Sequence, residues 1–462
     1  MNKHTLILLL FLQMSLILGE KSSLNIGISS GQISTLKDTL VPVIVSKIPG
    51  TISIPDFETK KGIFKIYGMD MKGSLSKDIS ADSVSVSLKE GSNIIVFSMA
   101  NLRLSFTGRI RAKAIGIRKT VDMTVEVKKV GFSSFLHIAR SSDGKLSLAI
   151  SNVHVHIDED DVDIELHGGW IDDIIEWVVN LVKGKVVDEV KDAISEQIPQ
   201  AVNDVLSQIL DKIPNQINIY QDLFAKIVFL SNPIVVNQYF TAGVWVYVFN
   251  EGDNPPQYEP VDLPQLNPKC EKGMQVFFSD YIIRTGFESA YESQIFTLNY
   301  SQEMRGLDVT LNANATNAPT LSFSENRTHV TIEGTGKVKV DNVWLVDSLF
   351  MDLKVKMGAD VHEDLREGVI YASIEKLNLE EVQITDSSLP FMDWLFNWIL
   401  DLLVDFFDDV AQELFNSILS DRGIPLPAIK GFDLTDSTDS LEPGYFELCS
   451  NIHLDLAKFD FE

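Results

Sequence analysis

The feature that most limits what this chain can become is a change of hydrophobic period that happens twice along it. From 63 to 157 the residues alternate or run apolar in segments 63–76, 83–88, 93–106, 120–127 and 145–157, the pattern of half-buried antiparallel strands. At Trp170 the period lengthens: Ile171, Ile174, Ile175, Val178, Val182, Val186 and Val190 lie on one helical face, over about 170–213. Pro199 should kink or divide that helix. A shorter helix over 31–48, with Leu36, Leu40, Ile44 and Ile48 four apart, precedes the strands.

A proline-rich stretch from Asn250 to Pro268 can continue neither a helix nor a central strand and reads as a linker. Beyond it the order repeats. A helix is expected over 279–296, strands over 328–340, 349–361 and 368–379, and a closing helix over 391–419 with a bulky stripe that includes Trp394, Trp398 and Phe406. Runs of strands followed by helices give an α+β class, and the repetition is one of architecture rather than of residues.

The 462 residues are 45% hydrophobic and 23% charged, so a large core can form, and disordered, collagenous and coiled-coil classes are excluded. The formal charge of −26 argues against wholesale binding, by net charge, to nucleic acid or to an anionic membrane. That charge is unevenly spread. Residues 21–145 hold 19 basic and 10 acidic residues (net +9), 146–232 hold 5 and 16 (net −11), and 233–462 hold 14 and 38 (net −24).

Lys3 and His4 precede an apolar run from Leu6 to Leu18, with Gly19 before a cleavage point at Glu20. This reads as a secretory signal peptide, too short to span a bilayer, and no later stretch offers an uncharged span of the length a membrane helix needs. Cys270 and Cys449 are the only cysteines, enough for one bridge in an oxidising compartment. If paired they close a loop of about 180 residues, worth at most roughly 5 kcal/mol. Sequons at Asn299, Asn314 and Asn326 become glycosylation candidates in that compartment.

Three motifs bear on chemistry. Gly27-Ile28-Ser29-Ser30-Gly31 matches the G-x-S-x-G elbow of a hydrolase, but too few residues precede it for that sheet, and alternating strand-helix units do not follow. His154, His156 and Asp158 alternate in phase, but the acidic run 158–163 lacks the glycine and terminal glutamate of a calcium loop, so no metal site is assigned. The basic stretch is more informative. Between two alternating strands, Arg109, Arg111, Lys113, Arg118 and Lys119 should crowd the tip of a hairpin, where cations dock on lipid phosphates.

The strings SNVHVHI (151–157), IPDF (54–57), IYGMDMKG (66–73), NPP (254–256), FSDYIIRTG (278–286) and GIPLP (423–427), in this order, resemble the bactericidal permeability-increasing and lipopolysaccharide-binding protein family over nearly the whole mature chain. The resemblance implies a boomerang of two elongated barrels, each a twisted antiparallel sheet wrapped with two helices, joined by a central sheet. It implies a signal peptide at 1–19, a lipid-binding barrel at 20–217, central strands and linker at 218–268, and a second barrel at 269–462. It also implies apolar pockets holding phospholipid acyl chains, no catalysis and no cofactor. Leu36, Leu40, Ile44, Ile171, Ile174, Ile175 and Val178 are the expected pocket walls. The basic hairpin falls where family members bind lipopolysaccharide or bacterial outer membrane.

Two departures qualify this. The family's N-terminal disulfide has no counterpart here, and Cys270 and Cys449 suggest a bridge in the C-terminal barrel instead. The acidic body argues against membrane killing, though not against lipid binding. The expected function is therefore a secreted, innate-defence type lipid binder, with a lipid-transfer protein as the alternative and a secreted hydrolase as a remote one.

Overall fold

The computed structural model describes residues 21–459 except 62–63, 77–78, 115–116, 169–171, 221, 257, 265, 267–269, 305, 325–326, 344–345, 367–368, 388–423 and 426–430. The expected signal peptide, Ile171, Asn326 and the closing helix expected over 391–419 therefore lie outside the described residues. The chain begins with strand β1 (Leu24–Ser29) and helix α1 (Ser30–Lys47). A first sheet follows from β2 (Ile52–Ile54), β3 (Phe57–Lys61), β4 (Phe64–Leu75), β5 (Val84–Lys89), β6 (Ile94–Ala114), β7 (Ile117–Arg140), β8 (Leu146–Ile157) and β9 (Val162–His167). Its order is β2-β4-β6-β7-β8, with β3, β5 and β9 paired at the margins.

Period-two patterning makes these strands. In β6, Leu102, Leu104, Phe106, Ile110 and Ala112 are buried while Arg103, Ser105, Thr107, Arg109, Arg111 and Lys113 between them are exposed. The sheet curls where bulges interrupt its ladders. Asp70, Asn101 and Asn152 take left-handed φ values of 56°, 59° and 51° at or beside the register shifts of β4–β6, β6–β7 and β7–β8. Gly73 lets the Phe106 ring cross its backbone, since a Cβ there would sit 2.0 Å from Cδ1 of that ring.

Helix α2 (Asp172–Asp211) packs on β8, β2 and β9. Val178, Val182, Val186, Val190, Ile194 and Ile198 form its buried stripe. The expected division at Pro199 does not occur, because the helix runs unbroken through it. Ile198, Ala201, Val202 and Val205 are all buried on either side, and that burial outweighs the roughly 3 kcal/mol cost of an interior proline.

The chain continues through β10 (Gln216–Tyr220), β11 (Leu223–Phe229), β12 (Ile234–Val236), β13 (Tyr239–Asn250), β14 (Met274–Ser279) and α3 (Asp280–Glu292). Another sheet comes from β15 (Thr297–Met304), β16 (Leu307–Ala315), β17 (Thr320–Ser324), β18 (Arg327–Val343), β19 (Val346–Arg366), β20 (Val369–Ser387) and β21 (Ile424–Pro425), and β22 (Phe432–Glu442) and β23 (Tyr445–Leu454) follow it.

A central sheet, β10-β11-β13-β1-β14-β23-β22 with β12 on β13, therefore takes strands from both halves and reaches well beyond 218–268. Hydroxyls finish its ladder where β13 outruns β1: Val246 N–H donates to Ser23 Oγ at 2.7 Å, and Val248 N–H to Thr285 Oγ1 of α3 at 3.0 Å. Buried Gln32 of α1 holds the far end of the chain, its amide donating to Ile452 O at 2.7 Å and accepting from Ile452 N–H at 3.1 Å. The two cysteines are bonded, Cys270 to Cys449, with Cα atoms 5.8 Å apart.

Candidate functional site

Between α1 and the concave face of the first sheet lies a cavity of about 270 Å³. Leu36, Leu40 and Ile44, one face of α1, form one wall, and Phe97 and Leu136 of β6 and β7 form another. The end of α2 contributes Val202, Leu206 and Ile209. The central sheet adds Ile26 and Ile28 of β1, Phe240 of β13, Phe432 of β22 and Leu454 of β23 to the lining.

The lining is hydrocarbon with one charged exception. Lys37 borders the cavity, but its ammonium donates to Ala81 O and Val84 O, each at 3.1 Å, and pairs with Asp38 at 2.7 Å. Three donors on three acceptors saturate it, so it adds alkyl stem to the wall rather than a free charge.

Of the residues expected at the pocket, Leu36, Leu40 and Ile44 lie together in this wall. Val178 does not reach it: it is wholly buried in the core under α2, and the helix meets the cavity about seven turns later instead, from Val202 on. Ile174 and Ile175 belong to α2, but their side chains, like all of Ile171, are outside the described set.

The basic residues follow the strand pattern. Arg109, Arg111 and Lys113 leave β6 on its outer face, and Arg118 and Lys119 are exposed on β7 across the turn. Lys113 stands opposite Arg118 on one side and Lys65 on the other, and Lys65 stands opposite Lys60. A row of four cations thus crosses four strands, an arrangement that costs stability unless anions attend it.

Glu58 does so for Lys65 at 3.1 Å, which raises the lysine pKa, and Asp70 pairs with Arg109. The Arg111 guanidinium donates to Thr120 Oγ1 at 3.4 Å, which leaves its charge intact. Lys60 and Lys65 were missed in the sequence, where K-K-G-I-F-K at 60–65 was not read as a second basic hairpin beside the first.

The remaining motifs lie elsewhere on the fold. Ser29, the middle of the G-x-S-x-G match, caps α1, its Oγ accepting from Gln32 N–H at 3.2 Å. His154 and His156 are exposed on β8, and no group of three or more metal-ligating side chains exists among the described residues. The acidic run answers the basic one: Asp163 pairs with Lys128, and Asp161 with Lys129 at 2.9 Å. Asn299 and Asn314 are exposed on β15 and β16.

This fold is shared with lipopolysaccharide binding protein, whose crystal structure matches with a TM-score of 0.57 over 94% of this chain and 99% of that one, at 13% sequence identity. At that identity the likeness is one of fold. Weaker likenesses carry no argument: P47 from Clostridium botulinum A2 (TM-score 0.35, 11% identity, 93% of this chain and 97% of that one) and Takeout 1 of Epiphyas postvittana (0.29, 13%, 39% and 92%). No family model matches the sequence, and no curated protein matches it.

Proposed function

We propose that this chain is a secreted, non-enzymatic lipid-binding protein of the bactericidal permeability-increasing and lipopolysaccharide-binding type, with two barrels set as a boomerang and divided near 217 and 268. It holds phospholipid acyl chains in apolar pockets and meets lipopolysaccharide or anionic lipid at the basic end of the β6–β7 hairpin. Asn299 and Asn314 would carry glycans on the C-terminal barrel.

The observation that carries this reading is the cavity lining. A chamber whose one ammonium is already saturated by Ala81, Val84 and Asp38 offers nothing to a polar substrate. For an alkyl chain each buried CH₂ is worth about 0.8 kcal/mol. The shared fold with lipopolysaccharide binding protein supports the same conclusion.

Native mass spectrometry of the purified chain, before and after incubation with phosphatidylcholine vesicles, tests it. Adducts at phospholipid mass are expected. A bare polypeptide that takes up no lipid would overturn the proposal, and lipid uptake without any affinity for anionic vesicles would favour a lipid-transfer role.

A further inference from the structure

A second concavity lies on the opposite, outer surface of the first sheet. Leu104 of β6 faces Val127 of β7, and Leu102 faces Val130. One residue of β6, Arg103, therefore stands across from two of β7, Lys128 and Lys129, which is a β-bulge. Because Leu102, Leu104, Val127 and Val130 are all buried, the three cations between them are all turned outward.

Next to them runs a row of hydroxyls, Ser74 of β4 opposite Ser105 of β6, which is itself opposite Glu126 of β7. In front is a cleft of about 530 Å³ lined by Ser74, Arg103, Ser105, Glu126, Lys128 and Lys129. A smaller hollow of about 300 Å³ adjoins it and shares Arg103, Lys128 and Lys129.

Three like charges converging on one rung repel one another. Two are attended: Lys128 by Asp163, which raises the lysine pKa and holds the carboxyl low, and Lys129 by Asp161 at 2.9 Å. Arg103 has no ion pair among the described residues. An arginine fork beside two lysines and two serine hydroxyls is a donor set matched to a tetrahedral oxyanion.

We propose that this cleft binds a phosphate or sulfate oxyanion, with Arg103 as the bidentate donor, Lys128 and Lys129 as flanking charges, and Ser74 and Ser105 as hydroxyl donors. Glu126 also lines the cleft, opposite Ser105, and its carboxylate opposes anion binding there rather than aiding it. Arg103 is about 26 Å along β6 from Arg111, at some 3.3 Å per residue, and so beyond a Debye length of about 8 Å. The cleft is separate from the basic end of the hairpin and does not depend on the proposed lipid function.

The test is calorimetric titration of the full chain with inorganic phosphate, against chloride at equal ionic strength, on the parent and on the variants Arg103→Gln and Lys129→Gln. Both sites are exposed, so both variants should unfold at close to the parent temperature. Phosphate should bind the parent saturably, each variant should bind at least about tenfold more weakly, and neutralising Lys113 with Arg118 should change nothing.

A parallel arm measures sedimentation with phosphatidylcholine vesicles with and without phosphatidic acid. If Arg103→Gln also weakens binding to the acidic vesicles, the natural source is a lipid headgroup, and if only phosphate binding falls, it is a soluble oxyanion. Either result supports the cleft. No saturable phosphate binding by the parent, or equal binding by parent and both variants, overturns it.

Discussion

Neutralising the cationic row separates the two proposed modes of lipid contact. The perturbation is Lys60→Gln, Arg111→Gln, Lys113→Gln and Arg118→Gln together. None of these four has an ion pair among the described residues, whereas Lys65 and Arg109 are attended by Glu58 and Asp70. Arg109 stays because its removal would leave Asp70 unpaired and mix two effects. Each basic residue near an anionic surface is worth about 1 kcal/mol, so the four supply at most about 4 kcal/mol at low salt, close to a thousandfold in affinity. With a chain charge of −26 no long-range attraction replaces them.

The assay is co-sedimentation with vesicles containing or lacking phosphatidylserine, and with lipopolysaccharide, across a salt series. The variant should lose anionic binding at low salt and show a flatter salt dependence. Relief of like-charge repulsion along the row should leave its thermal stability equal or higher, so a folding defect cannot imitate the result. Acyl-chain loading should not change, because that term is apolar. If the variant binds anionic vesicles as tightly as the parent at low salt, the basic end is not the contact.

Leu40→Trp combined with Leu206→Trp should lower lipid occupancy in native mass spectra at a stability cost of about 1–3 kcal/mol, and unchanged occupancy would remove this cavity from the function. Thiol titration of the denatured, unreduced protein should find no free cysteine, and Cys270→Ser with Cys449→Ser should lose up to roughly 5 kcal/mol by chain entropy. Burial, and then the 2.9 Å hydrogen bond to Glu288, hold the Tyr258 hydroxyl protonated well above the ordinary tyrosine range. The folded state therefore keeps a proton that the unfolded state releases near pH 10. This contribution is whole below that pH and is lost as pH rises beyond it, so Tyr258→Phe should lessen the fall in melting temperature from pH 9 to 11.

Helices α1, α2 and α3 and the strands β4 to β8 and β18 to β20 were legible because alternation and the 3.6-residue period are properties of short segments. The reach of β6 and β7 was not: the basic residues from Arg109 to Lys119 were expected at a hairpin tip between strands 93–106 and 120–127, yet buried Ile110, Ala112 and Val121 carry the strands on to Ala114 and back to Ile117. One wall of the cavity was legible in Leu36, Leu40 and Ile44, which are neighbours on a single helix. The others were not, because Phe240, Phe432 and Leu454 arrive from strands hundreds of residues away, and no local pattern encodes which strands the central sheet brings together.

The phase of β6 and β7 ties the cavity to the cations. Their inner residues, Phe97 and Leu136 among them, line the chamber, and their outer residues bear Arg103, Arg111, Lys113 and Arg118. A slip of one residue would exchange the two sets and bury arginines. The register does shift, twice. From Met99 opposite Phe132 to Leu102 opposite Val130, β6 advances one residue more than β7, and from there to Leu104 opposite Val127, β7 advances one more than β6.

The second bulge cancels the first, and the pairing beyond them is back in its original phase. The sequence marks both places, since buried residues stand three apart rather than two at Met99–Leu102 and Val127–Val130. Ala100-Asn101 and Lys128-Lys129 are the outward pairs in those gaps. A single insertion in either gap would leave one bulge uncompensated, and everything from there to the hairpin turn would present its charges to the core. The bulge that assembles Arg103, Lys128 and Lys129 is thus also the correction that keeps the hairpin's cations outside and its apolar residues inside.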